Sequence, residues 1–99
     1  MIARVWRCTA ADPAPYLAHF RENVLPELQG IDGYQGVYIL QRTLDGGSIE
    51  LTVQTRWASL DAVRKFAGEH IEQAVVEPQA KAVLLSFDAT VTHYEIVFT

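Results

Sequence analysis

The chain has 99 residues, of which 49% are apolar, and a net charge of −4. It has room for one domain with a single modest core, and its composition excludes a disordered segment. The eight basic residues are scattered, with only Arg64 and Lys65 adjacent, which argues against nucleic acid as a partner.

Residues 2–9 (IARVWRCT) predict a strand rich in β-formers. Asp12 and Pro13 then start a helix, with Asp as the cap and Pro at a tolerated first position. Leu17, Phe20, Val24 and Leu28 follow at helical spacing and define one apolar face. His19 lies off that face, where it is expected to be exposed. Pro26 lacks a backbone donor, so a kink or an early end is expected near residues 22–25.

Residues 34–43 and 49–57 form the clearest hairpin, turned by Asp45-Gly46-Gly47-Ser48. A loop centred on the two glycines pairs Leu40 with Val53, Tyr38 with Thr55 and Gly36 with Trp57. One face then carries Tyr34, Tyr38, Leu40, Ile49, Leu51, Val53 and Trp57. The other carries Val37, Ile39, Gln41, Thr52, Gln54 and Arg56. Gly36 opposite the Trp57 indole would let the ring lie over bare backbone.

Ser59 can cap a second helix whose apolar positions are Leu60, Val63, Phe66 and Ala67. Gly68 can stop it. Ile71, Ala74 and Val75 predict another turn or two, and Pro78 a short final helix carrying Val83 and Leu84. The last strand is expected over 86–98. Its apolar residues change parity between Phe87, Ala89, Val91 and Tyr94, Ile96, Phe98, which implies a bulge or changed surroundings near Thr92-His93.

The order β-α-β-β-α-β is the ferredoxin-like plan, an α+β fold in one domain spanning residues 1–99. Its helices cover one sheet face. Val37 and Ile39 make the other face too apolar to stay wet, so two copies are expected to stack their sheets as a homodimer. Apolar runs such as Ala82–Leu85 are too short to cross a bilayer. No signal segment is visible at the N-terminus, and one cysteine gives no disulfide framework. A cytoplasmic protein without a membrane partner is expected. Cys8 reads as a small buried apolar residue.

The segments PELQGIDGYQGVYIL after the first helix, Trp57 to Val76, and FDATVTHYEIV near the end resemble the antibiotic biosynthesis monooxygenase-like group of the dimeric α/β barrel superfamily. The resemblance spans nearly the whole chain. It implies a ferredoxin-like protomer that pairs into a dimeric α/β barrel, with a ligand cavity between sheet and helices. Some members of the group are similar to oxygenases that need no cofactor and act on polycyclic phenols. Others degrade haem, using a second Trp after the strand-end Trp and a His beyond it. The matching positions here hold Phe66 and Val76, so haem degradation is not expected. No cofactor is expected either, and the three histidines share no metal-ligand spacing.

His93 and Tyr94 are the candidate catalytic pair. His93 could serve as a base on an acidic phenol, or as a hydrogen-bonded structural histidine. Neighbours on a strand point to opposite faces, so only one of the two lines a given cavity. Trp57, Tyr34, Tyr38, Trp6 and Phe66 could wall an aromatic pocket for a flat substrate, or pack as core. Arg56, like Arg7, could stabilise a phenolate, or pair with Glu95 across the sheet. His70, after Gly68, could sit at the pocket mouth. The function expected is a cofactor-independent monooxygenase-like activity on a small aromatic or quinol-type molecule. The alternative is a non-catalytic small-molecule-binding dimer, or an isomerase or detoxification protein of the same fold.

Overall fold

The structure, a computed structural model, describes all residues 1–99. Strand β1 (Ile2–Ala10) leads into helix α1 (Ala14–His19), a π-helical turn (Phe20–Val24) and helix α2 (Leu25–Gln29). The hairpin β2 (Tyr34–Thr43) and β3 (Ile49–Trp57) follows, then α3 (Leu60–Ala67), α4 (Pro78–Val83) and two short strands, β4 (Ser86–Phe87) and β5 (Thr92–Glu95). The sheet order is β2-β3-β1-β4, with β5 also on β1, and every pairing is antiparallel. This is the ferredoxin-like α+β plan.

Asp12 supports the first helix by accepting the Ala14 N–H at 3.0 Å. Pro26 neither ends nor breaks it. The Leu25 N–H reaches back to the Phe20 carbonyl, five residues away, and the chain stays helical to Gln29. One widened turn ahead of the proline absorbs the misfit. That turn re-phases the buried stripe: Tyr16, His19 and Phe20 face inward before it and Leu28 after it. His19, expected outside, is therefore buried.

The hairpin register is one residue from the expected one. Leu40 pairs with Thr52, Tyr38 with Gln54 and Ile39 with Val53. The chain closes after Thr43, where Leu44 N–H bonds the Ser48 carbonyl at 2.8 Å, so the loop is centred on Gly46 alone. Arg42 faces Glu50 across the same ladder, and the two bond at 2.8 Å. A one-residue slip flips every side chain. Ile39 and Val37 consequently pack on the helix side with Leu51, Val53 and Trp57, while Tyr38 and Leu40 point outward, 58% and 50% exposed. The apolar residues of the outer face are not Val37 and Ile39. Gly36 lies opposite Arg56, after a bulge at Tyr34, and not opposite Trp57. A Cβ at Gly36 would fall 2.6 Å from the guanidinium of Arg56.

The Ser59 hydroxyl accepts the Ala62 N–H at 3.2 Å and starts α3, and Gly68 at φ 78° ends it. Val63 and Ala62 are buried on this helix, while Leu60 turns outward. Residues 71–75 are not helical. They run irregularly beneath the sheet edge, bridged at Gln73 to Thr90. The last strand is interrupted at residues 88–91 and stops at Glu95, short of the expected 98. Asp88 to Val91 occupy the length of Trp6 and Arg7 on β1, an even excess, so parity is kept. Phe87 and His93 lie opposite Cys8 and Arg4 on the helix side. Tyr94, opposite Ala3, faces out and is 54% exposed.

The core lies between the sheet and the helices, built on Cys8, Phe20, Leu28, Leu51, Val53, Trp57 and Val63. Burial, then the charge of Asp88, pushes the Cys8 thiol up to about 12, so it packs as an apolar residue. No helix is long and apolar enough to cross a membrane.

Candidate functional site

A cavity of about 60 Å³ lies between the sheet and the helices. Strands β1 and β3 supply its floor through Arg4, Trp6, Val53 and Thr55. Its roof comes from Tyr16, His19 and Phe20 on the first helical stretch, Phe66 on α3, and Val75, Val76 and Glu77 on the irregular segment before α4. Strand alternation places Arg4 on the floor. It shares the even, inward phase of β1 with Trp6, Cys8 and Ala10.

Arg4 is the unusual member. It is only 5% exposed, yet no carboxylate pairs with it. Its Nη1 donates to the Ile71 carbonyl and to Nε2 of His93 at 3.1 Å; its Nη2 donates to the Gln73 carbonyl at 2.9 Å. The guanidinium also stands over the Phe66 ring, 5.9 Å from its centroid. Burial without a counter-ion penalises the charge and pulls its pKa down to about 10. It remains a cation at neutral pH.

His93 meets the cavity only through Arg4. A guanidinium can donate but not accept, so His93 Nε2 is an acceptor and its basic lone pair is engaged. Burial, then the positive Arg4, hold the imidazole below its ordinary value, against an opposing pull from Glu72. Tyr94, on the outer face, lies away from the cavity.

Of the expected aromatic wall, Trp6 and Phe66 line the cavity. Trp6 is fixed by its indole N–H, which bonds the Asp88 carbonyl at 2.7 Å. Trp57 is fully buried behind Phe66, stacked at 6.0 Å, with its N–H on the Thr55 hydroxyl at 2.9 Å. It supports the wall without reaching the void. Tyr34 packs edge-on against Trp57 at 5.5 Å, outside the cavity, and burial raises its hydroxyl pKa. Tyr38 and Arg56 sit together on the outer face, guanidinium over ring at 5.0 Å, and no ion pair joins Arg56 to Glu95. Arg7 is exposed on that same face, and His70 is exposed beyond α3.

Among the wall residues not anticipated as site residues are Arg4 and His19. Arg4 was legible in principle, as one charge on an otherwise apolar strand phase. His19 was not, because its burial follows from the π-helical turn.

Among the solved structures that share this arrangement is a Bacillus cereus protein described as a candidate antibiotic biosynthesis monooxygenase. The two superpose with a TM-score of 0.63 at 14% identity, over 99% of this chain and 94% of that one. The likeness is one of fold. It bears out, at that level, the resemblance carried by the sequence segments. No family model matches the sequence, and no curated protein matches it.

The residues present do not fit a haem. Val76, at the position of the ligand histidine in haem-degrading members, reaches the cavity with an aliphatic side chain and no lone pair. The void, about 60 Å³, is smaller than the roughly 150 Å³ of an engineered cavity that takes a single benzene ring.

Proposed function

We propose that this protein binds a small aromatic or quinol-type molecule between its sheet and helices and oxidises it with dioxygen, without a prosthetic group. The single observation behind this reading is a buried guanidinium without a counter-ion, set among Trp6, Phe20 and Phe66. An acidic phenol or enol bound there loses its proton more readily, because the cation stabilises the oxyanion in a low-dielectric site. The electron-rich anion reduces dioxygen, and one oxygen atom enters the ring-activated carbon. The second leaves as water with the two hydrogens that carbon loses. Arg4 accepts no proton; by lowering the pKa of the bound hydroxyl it lets that proton pass to water, so the step does not call on His93 as a base.

The resting cavity holds a few atoms, not a ring. Entry of a substrate therefore displaces part of the wall, and the Val75–Glu77 stretch is the segment of it outside regular secondary structure. The homodimer belongs to the same proposal. Tyr38, Leu40 and Tyr94 share the outer sheet face with half-buried Val5, and a second copy laid on that face would cover them.

A second reading, a binding dimer without catalysis, draws on the occupied lone pair of His93. Oxygen uptake separates the two. The purified protein is mixed with a phenol bearing an activated methylene, and the electrode trace is compared with that of Arg4→Met. The expected result is uptake matched to product and lost in the variant, with circular dichroism unchanged. Ligand binding without oxygen uptake supports the second reading; no binding removes both.

A further inference from the structure

We infer that the cavity recognises its ligand through one oxyanion, held between the guanidinium of Arg4 and the Nε2–H of His19. This deepens the proposed use of the cavity and rests on that reading.

The argument begins with the tautomer of His19. The Asn23 side-chain nitrogen lies 3.3 Å from the His19 carbonyl oxygen, which can only accept. That atom is therefore the amide N, not its O. The same nitrogen lies 3.2 Å from His19 Nδ1, and an amide NH2 can only donate to it. Nδ1 is then an acceptor, and the ring proton sits on Nε2. This Nε2–H is buried, on a residue 8% exposed, and has no hydrogen-bond partner. A donor left unpaired in the interior costs about 1–3 kcal/mol.

The second half comes from Arg4. Its hydrogen bonds use two hydrogens on Nη1 and one on Nη2, leaving the Nε–H and the second Nη2 hydrogen without a protein partner. Both residues wall the same void, one from the sheet and one from the helices. The only acidic residue on that wall, Glu77, forms no ion pair with Arg4. The cavity wall thus carries a buried positive charge, N–H groups without partners on a sheet residue and on a helix residue, and aromatic rings. A carboxylate, phenolate or enolate oxygen satisfies all of these at once. A neutral ligand leaves the cation uncompensated. A void of about 60 Å³ has the volume for a carboxylate head, at roughly 10–15 Å³ per water, and a small turn of the His19 ring brings its buried Nε2–H to the oxygen.

Calorimetric titration with benzoate, benzamide and acetate tests the inference. Benzoate and benzamide share shape and differ in charge, and acetate isolates the head group from the ring. Benzoate is expected to bind at least tenfold tighter than benzamide, and His19→Phe, which keeps a ring but no donor, to weaken benzoate by about tenfold. The His19 Nε2–H resonance should shift on benzoate addition. Acetate binding alone would place recognition in the head group; tighter benzoate adds the ring wall. Equal affinity for benzoate and benzamide, or an unchanged benzoate affinity in His19→Phe, overturns the oxyanion site and leaves the aromatic cavity standing. If none of the three binds, the cavity reading itself falls. Arg4 also ties down residues 71–73, so His19→Phe carries the test should Arg4→Met fail to fold.

Discussion

Gly33→Ala is expected to destabilise the protein by roughly 2–5 kcal/mol, from two separable causes. Gly33 adopts φ +95°, where an L side chain costs about 1–2 kcal/mol. Its added Cβ would also stand 2.6 Å from the Cβ of Ala62. Carbon atoms prefer about 3.5–4.0 Å, and Ala62 is buried on α3 with no flexible end to move aside. Forcing α3 away adds about 1–3 kcal/mol. The Gly33 carbonyl already accepts the Ala58 N–H at 2.8 Å, so the approach of β2 to the start of α3 is fixed from both sides. Gly47→Ala provides the control: φ is +94°, but no atom lies within 4 Å of the added Cβ. Urea unfolding should move the Gly33→Ala midpoint down by about 1–2 M, against about half of that or less for Gly47→Ala. Adding Ala62→Gly to Gly33→Ala should recover the packing part, giving a coupling of about 1–3 kcal/mol. Equal losses in the two glycine variants, with no coupling to Ala62, would refute the close contact. With it would go the placement of α3, which carries Phe66 to the cavity.

The hairpin register predicts opposite outcomes for adjacent residues. Ile39→Ala should cost about 2–4 kcal/mol of chain stability, whereas Leu40→Ala should cost little and instead weaken self-association in sedimentation; the reverse ranking would restore the register expected from the loop glycines. His93 titrates below its ordinary value when folded, so the unfolded chain takes up its proton first on acidification. Stability from this group is whole above about pH 6.5 and declines as pH falls through the folded midpoint. An NMR titration should place that midpoint below 6.5 and move it upward in Arg4→Met; an unshifted midpoint in the variant would break the Arg4–His93 contact.

Local chemistry was enough for much of the fold. The capping serine at 59, the glycine stop at 68, the prolines at 13 and 78 and the alternation within each strand act over a few residues, so they are legible in the chain itself. The element order follows from them, and with it the ferredoxin-like plan. The hairpin register was not fixed this way. A loop with two glycines closes on either centre, and only the fit of Ile39 and Val53 beneath the helices selects one. The helix at Ala14–Gln29 carries the same lesson: its apolar spacing showed where a helix runs, but the widened turn ahead of Pro26 decides which face is buried.

The candidate site depended still more on tertiary contacts. Trp6 and Phe66 were found by type and position, since aromatics beside a sheet end up near its interior. Arg4 drew no notice among scattered basic residues, because its partners, Ile71, Gln73 and His93, lie far along the chain. The sequence by itself determined most of the strands and helices and their order, for those are set by short-range sterics and hydrogen bonding; the irregular run at residues 71–75 and the break in the last strand were outside its reach. Only the tertiary structure decided which side chains share the cavity and which nitrogens are left without partners. Those depend on register and helix phase, where one residue of slip exchanges the inside of the molecule for the outside.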